Sequence, residues 1–246
     1  MDVIGRIRVL IVDDQQIFCE LLTIALGREA DLQVVGAAQT AERALELASA
    51  ERPNVILLDY HLPDVSGAQL ATRLRREGNK AAVVMLTADD SEQALMASVE
   101  AGATGFFVKT AQLDQIRSAV RRAADGEMLV PGVQLSALLR KQREQASREA
   151  GRTDLLHRLT PRERAILDLS REGFDNRSIA RELGISVKTV RGHIQNTLEK
   201  LGVHSKLEAV VRGWGRGSGH VTDLLRSCTH TCCRGVWPLP QLPNVV

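Results

Sequence analysis

Aromatic residues are few in this chain: four Phe, two Trp and one Tyr among 246, or 3%. Its cores must therefore be built from Leu, Ile, Val and Ala. Cysteine is as scarce. Three of the four, Cys228, Cys232 and Cys233, cluster near the C-terminus, and only Cys19 lies where the pattern predicts folded structure. That excludes a disulfide framework. No apolar run approaches the roughly 20 residues that cross a bilayer as a helix. Residues 1–6 carry an early acid and no separate apolar segment, so they do not read as a signal peptide. The expected place is the cytoplasm. A large net charge is also missing: the balance is +2. It is unevenly spread, however. Residues 1–127 hold 13 basic against 19 acidic side chains, a net of −6, and residues 158–212 hold 11 against 7, a net of +4. At roughly 100–150 residues per domain the length allows about two domains. An acidic half followed by a basic one suggests two tasks, the second on a polyanion.

The chain is organised around residues 55–67, Val-Ile-Leu-Leu-Asp-Tyr-His-Leu-Pro-Asp-Val-Ser-Gly. Four apolar residues in a row predict a strand buried on both faces, as in parallel sheets. The run ends at one acid, Asp59, and Pro63 and Gly67 mark a turn before the next helical pattern. Around it, strands are predicted at 7–12, 32–36, 54–59, 81–87 and 104–108. Helices are predicted at about 15–28, 40–50, 66–77, 91–101 and 111–124, the first with Ile17, Leu21, Leu22 and Ala25 at helical spacing. Five strands alternating with five helices predict a doubly wound α/β domain with a five-stranded parallel sheet.

The strand ends carry the chemistry. The first ends in Asp13-Asp14, the third in Asp59, the fourth in Thr87 and the fifth in Lys109. In a parallel sheet these ends share one edge, where open α/β folds bind ligands. Three converging carboxylates repel one another unless a cation sits among them, and an all-oxygen set suits Mg²⁺. Lys109 and Thr87 are then placed to hold the oxygens of a phosphoryl group on Asp59, with metal and ammonium neutralising developing charge.

Residues 6–125 resemble the receiver domain of two-component response regulators, a flavodoxin-like fold. The match lies in Asp13-Asp14, Asp59 with Leu62-Pro63 and Gly67, Thr87-Ala88, and Gly102-Ala103-x-Gly105-Phe106-x-x-Lys109. The resemblance implies that Asp59 accepts a phosphoryl group from a sensor histidine kinase. It implies that Asp13, Asp14 and the Tyr60 backbone carbonyl arrange Mg²⁺. It also implies a switch in which the Thr87 hydroxyl moves to the phosphoryl group and the Phe106 ring turns inward behind it. Many receivers have Pro after this lysine; here it is Thr110, and a trans bond is expected because cis costs about 2.5–4 kcal/mol before a non-proline. His61 and Asp89, two residues beyond Asp59 and Thr87, are expected to tune the lifetime of the phosphoryl group.

Residues 128–157 read as a linker: a turn-rich stretch to Gly132, a mixed-charge helix at 133–150 and a joint at 151–157. The next segment opens on a strong helix start, with Thr160 as N-cap, Pro161 in the first turn and Glu163 completing a capping box. Helices are predicted to end at Gly173, at 176–183 before Gly184, at 187–201 after Ser186, and at about 205–212. Helix, short turn, helix is a helix-turn-helix pattern. On the third helix Val187, Val190, Ile194, Leu198 and Leu201 form one stripe, and Lys188, Arg191, Gly192 and Gln195 the opposite one. The second stripe suits a major groove, with Ser186, Lys188, Thr189, His193, Asn196 and Arg177 placed for phosphates. Taken alone, the same pattern is also that of an ordinary amphipathic helix with a wet face.

Residues 158–212 resemble the LuxR-type helix-turn-helix through Leu-Thr-Pro-Arg-Glu-Arg, Asn176-Arg-Ser-Ile-Ala-Arg-Glu-Leu-Gly-Ile-Ser, Lys188-Thr-Val-Arg-x-His-Ile and Leu198-Glu-Lys-Leu-Gly-Val. The whole resembles the NarL/FixJ class of response regulators. That implies a transcription regulator, not an enzyme beyond its own phosphorylation and slow self-dephosphorylation. Arg191, Gly192 and Gln195 would face bases of double-stranded DNA. The last helix would pair two copies into a homodimer, and the unphosphorylated receiver would mask the reading helix. A rival expectation is a constitutive DNA binder whose receiver only docks proteins. A phosphatase-like enzyme is excluded, since its Asp-x-Asp is absent. Residues 213–246 read as a disordered extension; their His and Cys lack the paired spacing of a zinc site.

Overall fold

The computed structural model describes residues 5–88, 91–130 and 158–212. The predicted linker helix at 133–150, the joint at 151–157, the extension at 213–246 and Asp89 lie outside these residues. The strands are β1 Ile7–Val12, β2 Leu32–Ala38, β3 Val55–Asp59, β4 Ala82–Thr87 and β5 Gly105–Val108. The helices between and after them are α1 Gln16–Gly27, α2 Ala41–Glu51, α3 Gly67–Arg76, α4 Glu92–Glu100 and α5 Leu113–Ala124. Four more follow: α6 Pro161–Arg171, α7 Asn176–Glu182, α8 Val187–Leu201 and α9 Lys206–Arg212. None of the described helices is long and apolar enough to cross a membrane.

The five strands form one parallel sheet in the order β2-β1-β3-β4-β5. All five residues of β3 are buried, as the unbroken apolar run requires. Alternation divides the core. Val55 and Leu57 join Leu22, Leu26, Ile116 and Val120 on the α1 and α5 side. Ile56 and Leu58 join Ala44, Ala48, Leu70 and Leu74 on the other. Alanines on α2 let that helix lie close to the sheet, which is how a chain poor in aromatics fills its core.

Two expectations are corrected. β2 runs past Gly36 to Ala38, because a register shift between Val9 and Leu10 lets it follow β1 to its end. On α1 the buried side is Cys19, Leu22, Ala25 and Leu26, while Ile17 and Leu21 are 74% and 58% exposed. Both stripes have helical spacing, and the sheet accepts only one.

The C-terminal helices are set by their caps. Thr160 and Glu163 form the capping box of α6, and Asp175 and Ser186 cap α7 and α8. Ile166, Leu169, Ile179, Ala180, Val190 and Ile194 make their core. A second cluster joins Leu159, Leu167, Val203, Leu207 and Val210 to Ala94, Val99, Ala101 and Ala103 of the sheet domain. The described residues of both domains thus belong to one compact unit.

Candidate functional site

The C-terminal sheet edge gathers the predicted residues. β1 and β3 are neighbours, so Asp13 and Asp59 emerge side by side. Each is about 1–2% exposed, and Asp14 beside them is open to solvent. Carboxylate oxygens of Asp13, Asp14 and Asp59 lie within 4.8 Å of one another. β5 delivers Lys109 from across the sheet. Its Nζ donates to Asp59 Oδ2 at 2.8 Å and makes an ion pair with Asp13 Oδ2 at 2.7 Å. The Phe18 ring lies under the same ammonium, its centroid 5.1 Å away.

One ammonium faces three carboxylates, and the electrostatics follow. Burial pushes the Asp13 carboxyl above its usual range; the Lys109 contact and the Gln15 amide pull it down, and Asp59 adds to the rise. Burial alone would lower the Lys109 ammonium, yet its two carboxylate partners outweigh that and raise it. Lys109 therefore stays a cation. Asp13 Oδ2, buried against the Lys109 ammonium, keeps lone pairs for a second positive charge. Two buried carboxylates and an exposed third suit a hard divalent cation.

Other expected site residues fall into place unevenly. Thr87 ends β4, fully buried, and its carbonyl accepts the Lys109 amide at 2.7 Å. The Lys109–Thr110 bond is trans. The His61 amide donates to Asp59 Oδ1 at 3.2 Å and its ring meets Tyr60 edge-on. The Tyr60 carbonyl accepts the Gly67 amide at 2.7 Å. Phe106 is buried, 3% exposed.

On α8 the predicted reading stripe of Lys188, Arg191, Gly192 and Gln195 is exposed, as are the phosphate candidates Thr189 and Asn196, with His193 half-buried and Arg177 exposed on α7. Gly192 has nothing near its absent side chain, so a partner can approach closely. Some of these groups are engaged within the chain. Ser186 Oγ caps α8 and lies 2.8 Å from the Thr189 hydroxyl, and Gln195 donates to Glu199. Arg191 pairs with Asp125 of the sheet domain at 2.7 Å.

Sequence reasoning missed the contacts around that pair. Asn176 Nδ2 donates to the Asp125 carbonyl at 2.9 Å. Ser205 Oγ donates to the Ala103 carbonyl at 2.9 Å. The Lys206 ammonium is buried and donates to Asn176 Oδ1 at 3.0 Å. Asp125 reads as a turn residue and Lys206 as a surface charge; nothing local marks either. Burial lowers the Lys206 ammonium to about 8, against the opposing pull of Glu127 and Asp175, with Arg122 adding to the fall. A depressed lysine pKa means that the folded chain binds this proton more weakly than the unfolded one. Its contribution to stability is complete above about 10.4, the unfolded value, and is lost as pH falls through about 8. Wild-type stability relative to Lys206→Met should therefore rise between pH 8 and 10, by on the order of 1 kcal/mol per unit. Chemical denaturation of both proteins at several pH values measures it, and parallel curves would rule the shift out.

Comparison with known proteins agrees with this geometry. The response regulator receiver domain family matches residues 9–121, and the family of bacterial regulatory proteins, luxR family, matches residues 157–212. The transcriptional regulatory protein DegU of Brevibacillus brevis is 32% identical over 225 residues, covering 85% of this chain and 95% of the relative. The nitrate/nitrite response regulator NarL of Escherichia coli is 31% identical over 206 residues, covering 82% and 93%. The solved RcsB response regulator of Salmonella typhimurium shares the fold at 23% identity, with a TM-score of 0.50 over 85% of this chain and 98% of that one.

Proposed function

From the premise that this chain belongs to the response regulators, a receiver domain joined to a luxR-family DNA-binding domain, we propose that Asp59 accepts a phosphoryl group from a sensor histidine kinase and thereby controls DNA binding. The single observation that carries this is the Lys109 ammonium held between two buried carboxylates beside an exposed third. An Asp59 carboxylate oxygen attacks phosphorus, the bond to the donor breaks, and the phosphoryl group remains as an acyl phosphate. The Lys109 ammonium passes from Asp59 Oδ2 to a phosphoryl oxygen. Asp13, Asp14 and Asp59 would hold Mg²⁺, which supplies charge neutralisation at the transferring group. The Thr87 hydroxyl is the switch group that meets the new oxygens. His61, its amide on Asp59 Oδ1, tunes how long the phosphoryl group lasts, and slow self-hydrolysis is the only turnover.

The receiver spans residues 1–127 and the DNA-binding domain 158–212, working in the cytoplasm. Arg191 and Gln195 read base edges in double-stranded DNA, and a homodimer forms on it. In the closed chain Arg191 is held by Asp125, which keeps that side chain from a base edge.

The test uses acetyl phosphate with Mg²⁺ and intact mass spectrometry, beside Asp59→Asn. One phosphoryl group on the wild type and none on the variant, with tighter binding to duplex DNA only in the former, is the expected result. Equal DNA binding by both without phosphoryl uptake would instead mean a constitutive binder with a docking receiver.

A further inference from the structure

A chain with only four phenylalanines places one of them against the cation of its acidic site. Phe18 lies in the first turn of α1. With Leu22 and Leu26 it occupies the i, i+4 and i+8 positions of one helix face. Leu22 and Leu26 are buried against the sheet. Phe18 packs on the same apolar cluster but is only half-buried, because α1 begins at the edge where the strands end. There the Lys109 ammonium lies over its ring, 5.1 Å from the centroid.

The start of α1 is tied to Asp13. The Gln15 amide donates to Asp13 Oδ1 at 3.0 Å, and the Cys19 thiol donates to the Asp13 carbonyl at 3.4 Å. The Phe18 and Cys19 amides in turn donate to the Gln15 carbonyl. A residue of the acidic cluster thus fixes the turn that carries the ring, and the ring is backed by core.

The ammonium has two oxygen partners, Asp59 Oδ2 at 2.8 Å and Asp13 Oδ2 at 2.7 Å. Phe18 is a partner of a different kind. A ring face attracts a cation within about 6 Å of its centroid, and more strongly where water is excluded. The Lys109 side chain is 12% exposed. A face also has no single acceptor point. An ammonium that leaves one oxygen for another can move over it and keep the attraction, whereas a hydrogen bond to a third fixed oxygen would have to break. Nor does the ring add negative charge to a cluster that already holds three carboxylates.

We infer that Phe18 is a positioning residue for phosphoryl transfer, its ring holding the Lys109 ammonium while that ammonium passes from Asp59 Oδ2 to the phosphoryl oxygen. This rests on the proposed phosphorylation of Asp59 and adds to it the group that steadies Lys109. Leu at this position would keep apolar bulk against the core and lose the π face. The ammonium would then be free to settle elsewhere, and transfer would begin with it misplaced.

The test follows phosphoryl uptake from acetyl phosphate with Mg²⁺ by intact mass, in the full chain. It compares the wild type, Phe18→Leu, Ile17→Ala and proteins with one, two or three fluorines on the Phe18 ring. Fluorine withdraws electron density from the ring face and nearly preserves its shape. Phe18→Leu should lower the maximal rate of uptake about three- to tenfold. The half-saturating acetyl phosphate concentration should stay unchanged, because the ring acts on the lysine and not on the donor. The rate should fall stepwise with each fluorine; a ring that only fills space predicts a flat series. Ile17→Ala changes an exposed residue of the same turn and should keep wild-type uptake. Urea unfolding without metal reports whether Phe18→Leu has folded; if it has not, the fluorine series decides. A flat fluorine series, or folded Phe18→Leu at the wild-type rate, would overturn the role. So would an equal loss in Ile17→Ala, which would make the effect one of the helix start as a whole. No uptake by the wild type would strike the proposed function, and this role with it.

Discussion

Asp13→Asn is expected to make the protein harder to unfold while removing its response to Mg²⁺. Asp13 is buried, 1% exposed, beside Asp59, and Lys109 is shared between them. Burial and the neighbouring carboxylate raise its pKa. For an acid the sign is then fixed: the charged form is disfavoured in the folded state, so this group costs stability as pH rises through its folded pKa. Asn keeps the shape and drops the charge, and Lys109 then serves Asp59 alone. Relief of such a site typically stabilises by about 0.5–2 kcal/mol. The functional effect runs the other way. Losing an outer-shell partner of a metal ligand already costs about 10–100-fold in affinity, and Asp13 is proposed as a ligand itself, so Mg²⁺ affinity should fall by more than that, and phosphoryl uptake with it. Urea unfolding without metal and Mg²⁺ titration measure the two arms. A variant less stable than wild type would show that the carboxylate cluster is satisfied rather than strained.

Gly67→Ala is the second large effect, and it is steric. Gly67 opens α3 and lies directly on the end of β3. A Cβ there would stand 2.2 Å from the Asp59 carbonyl oxygen and 2.9 Å from Tyr60 Cα. Both obstacles are backbone at the end of the buried strand β3, so neither can swing aside. The Gly67 amide also donates to the Tyr60 carbonyl at 2.7 Å, a bond that any retreat of α3 would stretch. Overpacking of this severity costs about 3 kcal/mol or more, which in a domain of this size lowers the melting temperature by about 10 °C. The strand end carrying Asp59 must shift too, so phosphoryl uptake should fall even below the melting point. Gly27→Ala is the control: nothing lies near its absent side chain, and it should be neutral. Equal melting temperatures for the two variants would mean that the α3–β3 contact yields easily.

The acidic cluster is legible in the amino-acid order because each of its members ends an apolar run. Strand periodicity says where a buried segment stops, and a parallel sheet brings the stops to one edge; Asp13, Asp59, Thr87 and Lys109 follow from that alone. The caps of the C-terminal helices are equally legible, since Thr160, Asp175 and Ser186 act on amides three positions away. Those are local rules, and local sequence carries them. The sides of α1 are not legible in the same way. Ile17 and Leu21 keep helical spacing with each other as faithfully as Leu22 and Leu26 share a side, and only the position of the sheet selects between them.

By itself, then, the sequence determined the parallel sheet, the gathering of acids and lysine at its edge and the two faces of the amphipathic helix α8, because these depend on where hydrophobic runs begin, alternate and end. Only the tertiary structure decided that Tyr60 gives its carbonyl to Gly67, that Phe106 already lies inside, that Asp125 holds Arg191, and that Ser205 and Lys206 are buried at a domain contact. The physical reason is distance along the chain: Ser205 meets Ala103 across 102 residues and Arg191 meets Asp125 across the linker. No period or spacing in either segment encodes a partner that only the packing of one domain on the other brings within reach.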